Sequence, residues 1–443
     1  MTTKPALTAA APAAPAGAPL DPSRPAASPW ADRLQALGLG CLLLLAPTFS
    51  VLVPKGLVPL LLVGSLLFLL GCWQARRRLL APPLDLSLLF GALVVWTAIG
   101  LLWTLLEGGL SHMAGLAVLL LAGLLLAAQI PSLTERQKAQ AQNLLLIGFA
   151  LGLGVLIFEG LTGRWLLYTF GEPREWGYPI SRLNRGATAL ALFAWPVAVL
   201  LHRGSRPWLV WPMVAITLAV LSNFESLAAT VGFGAGALLL VIARLGPRLA
   251  RLLLLLGMLL ALLTPSLLTK QLHQLGVEQD LRFEYSLRHR VYIWNFVTDR
   301  WLEKPLWGWG FNSSKVLPIG DTKPFSPGLK HPVPSHPHNF ALQVLAELGL
   351  PGLLLVTLLA IALWRRLEPG GRDGGAELAL TATAVIILMT AYGAWQGQWI
   401  ANLFLAATFA YLARQSPARP AASTEQAKPA DKSTPPPPQP QEG

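Results

Sequence analysis

The sequence predicts an all-α polytopic membrane protein with about twelve transmembrane helices and a long helical outer loop between spans nine and ten. Three observations carry this. The 443 residues are 53% hydrophobic and only 13% charged, against about 25% charged in an average soluble domain. Apolar runs recur at close to the ~20 residues that span a bilayer. The loops between them alternate between Lys/Arg-rich and nearly Lys/Arg-free, as topology signals do. The net charge of +12 is scattered through those short loops, so nucleic acid is not an expected partner. Cys41 and Cys72 both fall inside apolar runs and make no disulfide framework.

The elements follow in order. Residues 1–29, rich in Ala and Pro, read as a disordered tail; with no apolar core before a cleavage site, they do not read as a signal peptide. Residues 30–269 hold nine apolar segments, at 34–53, 57–73, 84–103, 112–130, 143–162, 187–202, 208–222, 227–243 and 250–269. Residues 270–339 form the long loop domain. Residues 340–414 hold three more segments, at 340–364, 376–394 and 398–413, and 415–443 is a second low-complexity tail. One set of loops carries Arg76–Arg78, Arg136 and Lys138, Arg203 and Arg206, Arg244, Arg248 and Arg251, then Arg365, Arg366 and Arg372. The other set carries Lys55 and little else in its short members. The positive-inside rule makes the first set cytoplasmic, with both termini inside. Two outer loops depart from the alternation. Loop 163–186 carries four Arg against two Glu, and loop 270–339 carries nine Lys/Arg against six Asp/Glu with five of the seven histidines. Titratable chemistry is thus expected on the outer face.

Within the long loop, 282–305 has helical periodicity. Phe283, Leu287, Trp294, Val297 and Trp301 share one direction, which predicts an amphipathic helix at the membrane surface. Arg282, Arg288, His289, Asp299 and Arg300 point away as a solvated face. Arg290 falls inside the apolar stripe, where an arginine is costly unless it meets an anion; the plainer alternative is snorkelling or a structural ion pair. Arg185 stands at the mouth of the sixth span, with Arg182 three residues earlier. An interfacial anchor is the bland reading, and an anion site is favoured because both face outward. In "SHPHNFALQVLAELGLPG", residues 335–352, Ser335 is a candidate N-cap and Pro337 suits a first turn. His338 would then lie at a helix N-terminus, whose dipole keeps an imidazole neutral and able to accept a proton. His336 lies two residues away, and a satisfied interfacial histidine is the alternative. Two histidines are too few for zinc, so a metal-independent site without a cofactor is expected. "WGWGFNSS", 307–314, reads as a turn.

Outer arginines with a neutral histidine suit one task. Arginine pairs bidentately with phosphate oxygens, a diphosphate leaves readily once neutralised, and an attacking hydroxyl needs a base. That combination points to glycosyl transfer from a lipid diphosphate sugar, whose tail explains so apolar a chain.

"EKPLWGWGFNSS" followed by "HPHNFALQVLAELGLPG" resembles the shared signature of O-antigen ligases, O-antigen polymerases and bacterial protein O-oligosaccharyltransferases. The resemblance covers nearly the whole chain between its tails and implies a GT-C-like glycosyltransferase fold. "RVYIW" is similar to the family's loop-arginine segment (Arg290), and "RLNRGAT" resembles the segment with its other arginine, placed on Arg185. His338 resembles the essential histidine. The resemblance implies a metal-independent, inverting transfer of O-antigen from undecaprenyl diphosphate, in a ligase to a sugar hydroxyl of lipid A–core. His338, Arg290 and Arg185 are the expected catalytic residues; Arg182, Arg288, His336, Asn339 and Trp294 are expected to touch substrate. The low-complexity tail argues against the protein oligosaccharyltransferases, and the clear "HN…LAELGLPG" block favours ligase over polymerase. Relatives often carry Ser-Arg where this chain has Glu225-Ser226. The rival of another class is an exporter or flippase of a lipid-linked anion. That would place charges at mid-membrane, whereas Glu159, Glu225, Glu347 and Asp85 lie near span ends.

Overall fold

The computed structural model describes residues 29–169, 180–326, 328–367 and 374–415. Most of the two tails, Glu172, Arg174, Glu175 and Arg372 lie outside the described residues. Among the described residues the chain is all helix, without a strand. The α-helices are α1 (Pro29–Leu52), α2 (Leu57–Arg76), α3 (Leu84–Gly100), α4 (Gly109–Gln129), α5 (Glu135–Leu161), α6 (Trp165–Thr169), α7 (Asn184–Arg203), α8 (Val210–Ser222), α9 (Leu227–Leu245), α10 (Pro247–Leu263), α11 (Pro265–Gln274), α12 (Tyr285–Glu303), α13 (Phe340–Arg365), α14 (Gly374–Thr390) and α15 (Gly397–Arg414).

Eleven of the twelve apolar segments fall on one helix each, and 250–269 runs across α10 and α11. Seven helices are long and apolar enough to cross a membrane by themselves, or eight if α10 and α11, bent by 65°, count as one. Three more, at Leu84–Gly100, Pro207–Ser222 and Gly375–Thr390, are apolar but shorter. The chain is a multi-pass membrane protein, and the expected count of twelve crossings rests on the apolar segments of the sequence.

α7 is the axis of the bundle. Every residue from Gly186 to Leu200 is buried, against α1, α5, α8, α9, α14 and α15. The sequence explains why: "GATALALFAWPVAVL" is rich in small residues, which let helices approach closely where lipid offers no hydrophobic drive. A Cβ on Gly186 would stand 2.8 Å from the Cα of Val51.

α13 breaks at Gly349, which has φ +64° and ψ −161° and is followed by Pro351. Pro351 has no N–H, so the Glu347 carbonyl lacks its helical donor. The Leu350 N–H turns to the Pro305 carbonyl at 3.0 Å instead. The freed carbonyls of Ala346 and Glu347 accept from the N–H groups of Trp309 (2.8 Å) and Gly310 (2.9 Å). "WGWG" and "LGLPG" thus dock on each other. A Cβ on Gly349 would lie 2.2 Å from the Leu306 carbonyl oxygen, and one on Gly308 2.6 Å from that of Glu347. Gly308, Gly310 and Asn312 have positive φ, so the 307–314 stretch is the expected turn.

The sequence misplaced two local features. α13 begins at Phe340 with Asn339 as N-cap, its Oδ1 accepting the Leu342 N–H at 3.0 Å. Ser335 is exposed and Pro337 precedes the helix; Asn and Ser cap equally well by type, and residue type alone did not decide between them. The α12 stripe packs on protein in its second half only. Phe283 precedes the helix, and it and Leu287 are exposed. Instead Ile293, Phe296 and Val297 form a second core with Leu317, Val333, Leu342 and Ala346, so α12 is clamped onto α13.

Candidate active site

Four segments meet at one end of the bundle: the first turn of α7, the helix α12, the approach 331–339 to α13, and the turn 391–396 between α14 and α15. Trp294 of α12 donates its indole N–H to the Pro337 carbonyl at 2.8 Å. Tyr392 and Thr188 of α7 share a hydroxyl–hydroxyl hydrogen bond of 2.6 Å. Ring Nδ1 of His338 stands 3.0 Å from the Ala391 carbonyl oxygen.

That last contact fixes chemistry. A carbonyl only accepts, so His338 Nδ1 carries the hydrogen and Nε2 keeps its lone pair. His336 is the opposite tautomer when neutral, because its Nδ1 accepts the His338 backbone N–H at 3.2 Å. The two rings lie 4.1 Å apart between centroids. His338 has φ +56°, a left-handed conformation that costs a non-glycine residue roughly 1–3 kcal/mol. Burial pushes His338 down to about 4; the Ala391 contact opposes this, and Arg290 and His289 add to it. Burial, His338, Arg185 and Arg290 push His336 down to about 3. Both imidazoles are neutral at neutral pH.

Arg290 and Arg185 therefore both act on His336. Burial depresses Arg290, partly offset by Glu284. Arg185 is exposed in the first turn of α7. A cation there opposes the positive end of the helix dipole, and an anion would relieve both charges. Neither guanidinium has a hydrogen bond or ion pair among the described residues. Asn339 is used as the cap of α13, and Trp294 as the brace of Pro337. Arg288 lies apart from this group: its Nε donates to the Glu278 carbonyl at 3.1 Å and its guanidinium covers Phe325. Arg182 is exposed in the 3-10 turn before α7. Ser226 caps α9, accepting the Ala229 N–H at 3.4 Å, while Glu225 is exposed. Among the described residues no three or more His, Cys, Asp or Glu side chains form a group able to hold a metal ion.

Sequence reasoning missed Glu347, Gln343, Tyr392 and Trp395. Glu347 is fully buried, in the first half of α13. A carboxylate in so apolar a segment was a signal in itself, although its partners lie far away in sequence.

Residues 223–357 match a family model described as O-Antigen ligase. This stretch is similar to the O-antigen ligase family. The matched stretch runs from just before the α9 cap through the Gly349 break and contains Arg290, His336, His338 and Glu347; Arg185 precedes it. Several relatives carry names of the same kind. A Rickettsia bellii protein named "Putative polysaccharide ligase" is 32% identical over 261 residues, 56% of this chain and 64% of that one. Similarly named proteins from Rickettsia conorii and Rickettsia felis are 26% and 27% identical over 360 and 351 residues, each match covering 75% of this chain and 84% of the relative. The chain thus spans just under two thirds of the Rickettsia bellii protein and more of the other two.

Proposed function

We propose that this protein transfers O-antigen polysaccharide from undecaprenyl diphosphate to a sugar hydroxyl of lipid A–core. The reaction occurs on the periplasmic face of the bacterial inner membrane, with both termini in the cytoplasm. The observation that carries the proposal is His338: neutral, with Nδ1 held by the Ala391 carbonyl and Nε2 without a partner among the described residues, in a group that also holds two guanidiniums with no acceptor among the described residues.

The acceptor hydroxyl attacks the anomeric carbon from the face opposite the diphosphate, so configuration inverts. Its proton passes to His338 Nε2 as the new C–O bond forms. The bond from the anomeric carbon to the diphosphate oxygen breaks, and the electron pair leaves with the diphosphate, held by Arg290 and Arg185. A positioned base contributes roughly 10²–10⁴-fold, and fixed cations at the developing charge a comparable or larger factor. Arg182, at the mouth of α7, extends the basic surface toward the donor. No cofactor has a part in this scheme.

The test uses the purified protein, lipid-linked polysaccharide and rough lipopolysaccharide in the presence of a chelator. The expected product is polysaccharide joined to lipid A–core. Lengthening of the lipid-linked chain instead would make the protein a polymerase. Movement of the donor across vesicles without bond formation would make it an exporter, and loss of product in chelator would end the metal-independent mechanism.

A further inference from the structure

We infer that Glu347 is a positioning residue for His338, acting through Gln343 and the turn 391–395; this rests on the reading of His338 as the base. Glu347 is fully buried, and every polar neighbour that touches its carboxylate donates. Oε1 accepts the Ser314 N–H at 3.1 Å, the Ser314 hydroxyl, and the Gln343 amide at 3.0 Å. Oε2 accepts the Asn312 N–H at 2.7 Å and the Trp395 indole N–H. Five donors from three segments converge on one acceptor-only group, joining the 307–314 turn, α13 and the turn after α14.

The polarity of these bonds runs on to the base. Because Glu347 can only accept there, the Gln343 side chain must present its NH₂ to it. That leaves Gln343 Oε1 for the Ala394 N–H, 2.8 Å away. Ala394 is three residues beyond Ala391, whose carbonyl receives the His338 Nδ1–H. Gly393, between them, packs on the His336 ring: a Cβ there would stand 2.9 Å from His336 Cβ and Cγ. Trp395, the other end of the turn, is held by Glu347 directly and lies with its ring 5.3 Å from that of Phe311. The carbonyl that selects the tautomer of His338 is thus fixed in place by a carboxylate that lies outside the base's own contacts.

Glutamine at 347 keeps the shape but replaces one acceptor oxygen by an NH₂. Whichever way the amide is set, at least two of the five donors then meet a donor. Either the Gln343 amide or the Trp395 indole loses its acceptor, and with it one hold on the turn 391–395. The experiment measures steady-state ligation and donor binding for the full-length parent, Glu347→Gln and His338→Ala proteins. A reacting group displaced by about 1 Å can cost on the order of 10²-fold. The expected result is a kcat lower by about 10- to 100-fold in Glu347→Gln. Its KM for the donor should stay within about threefold, because donor binding falls to arginines on α7 and α12. A purely structural role would lower the amount of folded protein without that split. Parent turnover in His338→Ala overturns the reading of the base and this inference with it. An inactive His338→Ala beside a Glu347→Gln of parent kcat overturns this inference alone. Should Glu347→Gln not accumulate, Trp395→Phe and Gln343→Ala each remove one link; parent kcat in both overturns the inference.

Discussion

In the proposed reaction His338 is the base, and its neutral state rests on its neighbours more than on the helix dipole that the sequence suggested. The Ala391 carbonyl sets its tautomer, and burial with Arg290 and His289 keeps it unprotonated. With its value near 4 against about 6.5 for a free histidine, ligation should stay flat from pH 8 to about 5.5. It should fall only toward pH 4, measured as kcat/KM against pH at saturating acceptor. An acid limb near 6.5 would mean that the base is a more exposed group. Stability has a definite sign as well. The unfolded chain protonates these histidines near 6.5, while the folded one resists until about 4 and 3. Their contribution is therefore whole above pH 6.5 and is lost as pH falls from 6.5 toward the folded values; thermal unfolding across that range reads it. At Arg290, lysine keeps the charge but not the bidentate fork. Arg290→Lys should weaken donor binding about tenfold, a loss of roughly 1.4 kcal/mol, as measured by titration with lipid diphosphate.

The break in α13 joins the bundle to the 305–310 backbone. Its sequence could be read once the break was known: Gly349 and Pro351 leave two carbonyls without helical donors, and the 307–310 backbone supplies them. Alanine at 349 would meet both an unfavourable φ and the Leu306 carbonyl. Gly349→Ala should cost about 3 kcal/mol or more, measured as a lowered thermal midpoint in detergent, together with loss of ligation. The helices themselves were legible, because apolar length in lipid leaves few alternatives. The faces were less so. α7 looks short and only moderately hydropathic, yet it is the most enclosed span, because its small residues suit helix contact rather than lipid. Phe283 and Leu287 continue the α12 stripe by periodicity but precede or open the helix, where they stay exposed.

Across the whole molecule, the residues of the site are drawn from four segments, 185, 290, 336–338 and 391, brought to one end of the bundle. Histidine, asparagine and arginine beside apolar helices were visible in the sequence as chemistry without a place. The partners that give them a place, Ala391 for His338 and Glu347 for the 312–314 turn, lie 53 and about 35 residues away, and no local pattern encodes such pairings. Orientation is the matching expectation at this scale. A cysteine replacing the exposed Arg77 should be shielded from an impermeant maleimide applied outside, and one replacing Ser326 should react, on a background lacking Cys41 and Cys72. The reverse pattern would invert the topology and place the site in the cytoplasm. The central claim is that His338 takes the proton of the acceptor hydroxyl. The most direct measurement is a single-turnover transfer from lipid-linked polysaccharide to lipid A–core by His338→Ala, with donor binding followed in the same sample. The account predicts donor bound at parental affinity and transfer slowed by roughly 10²–10⁴-fold. Transfer at the parental rate by the donor-bound variant would contradict it.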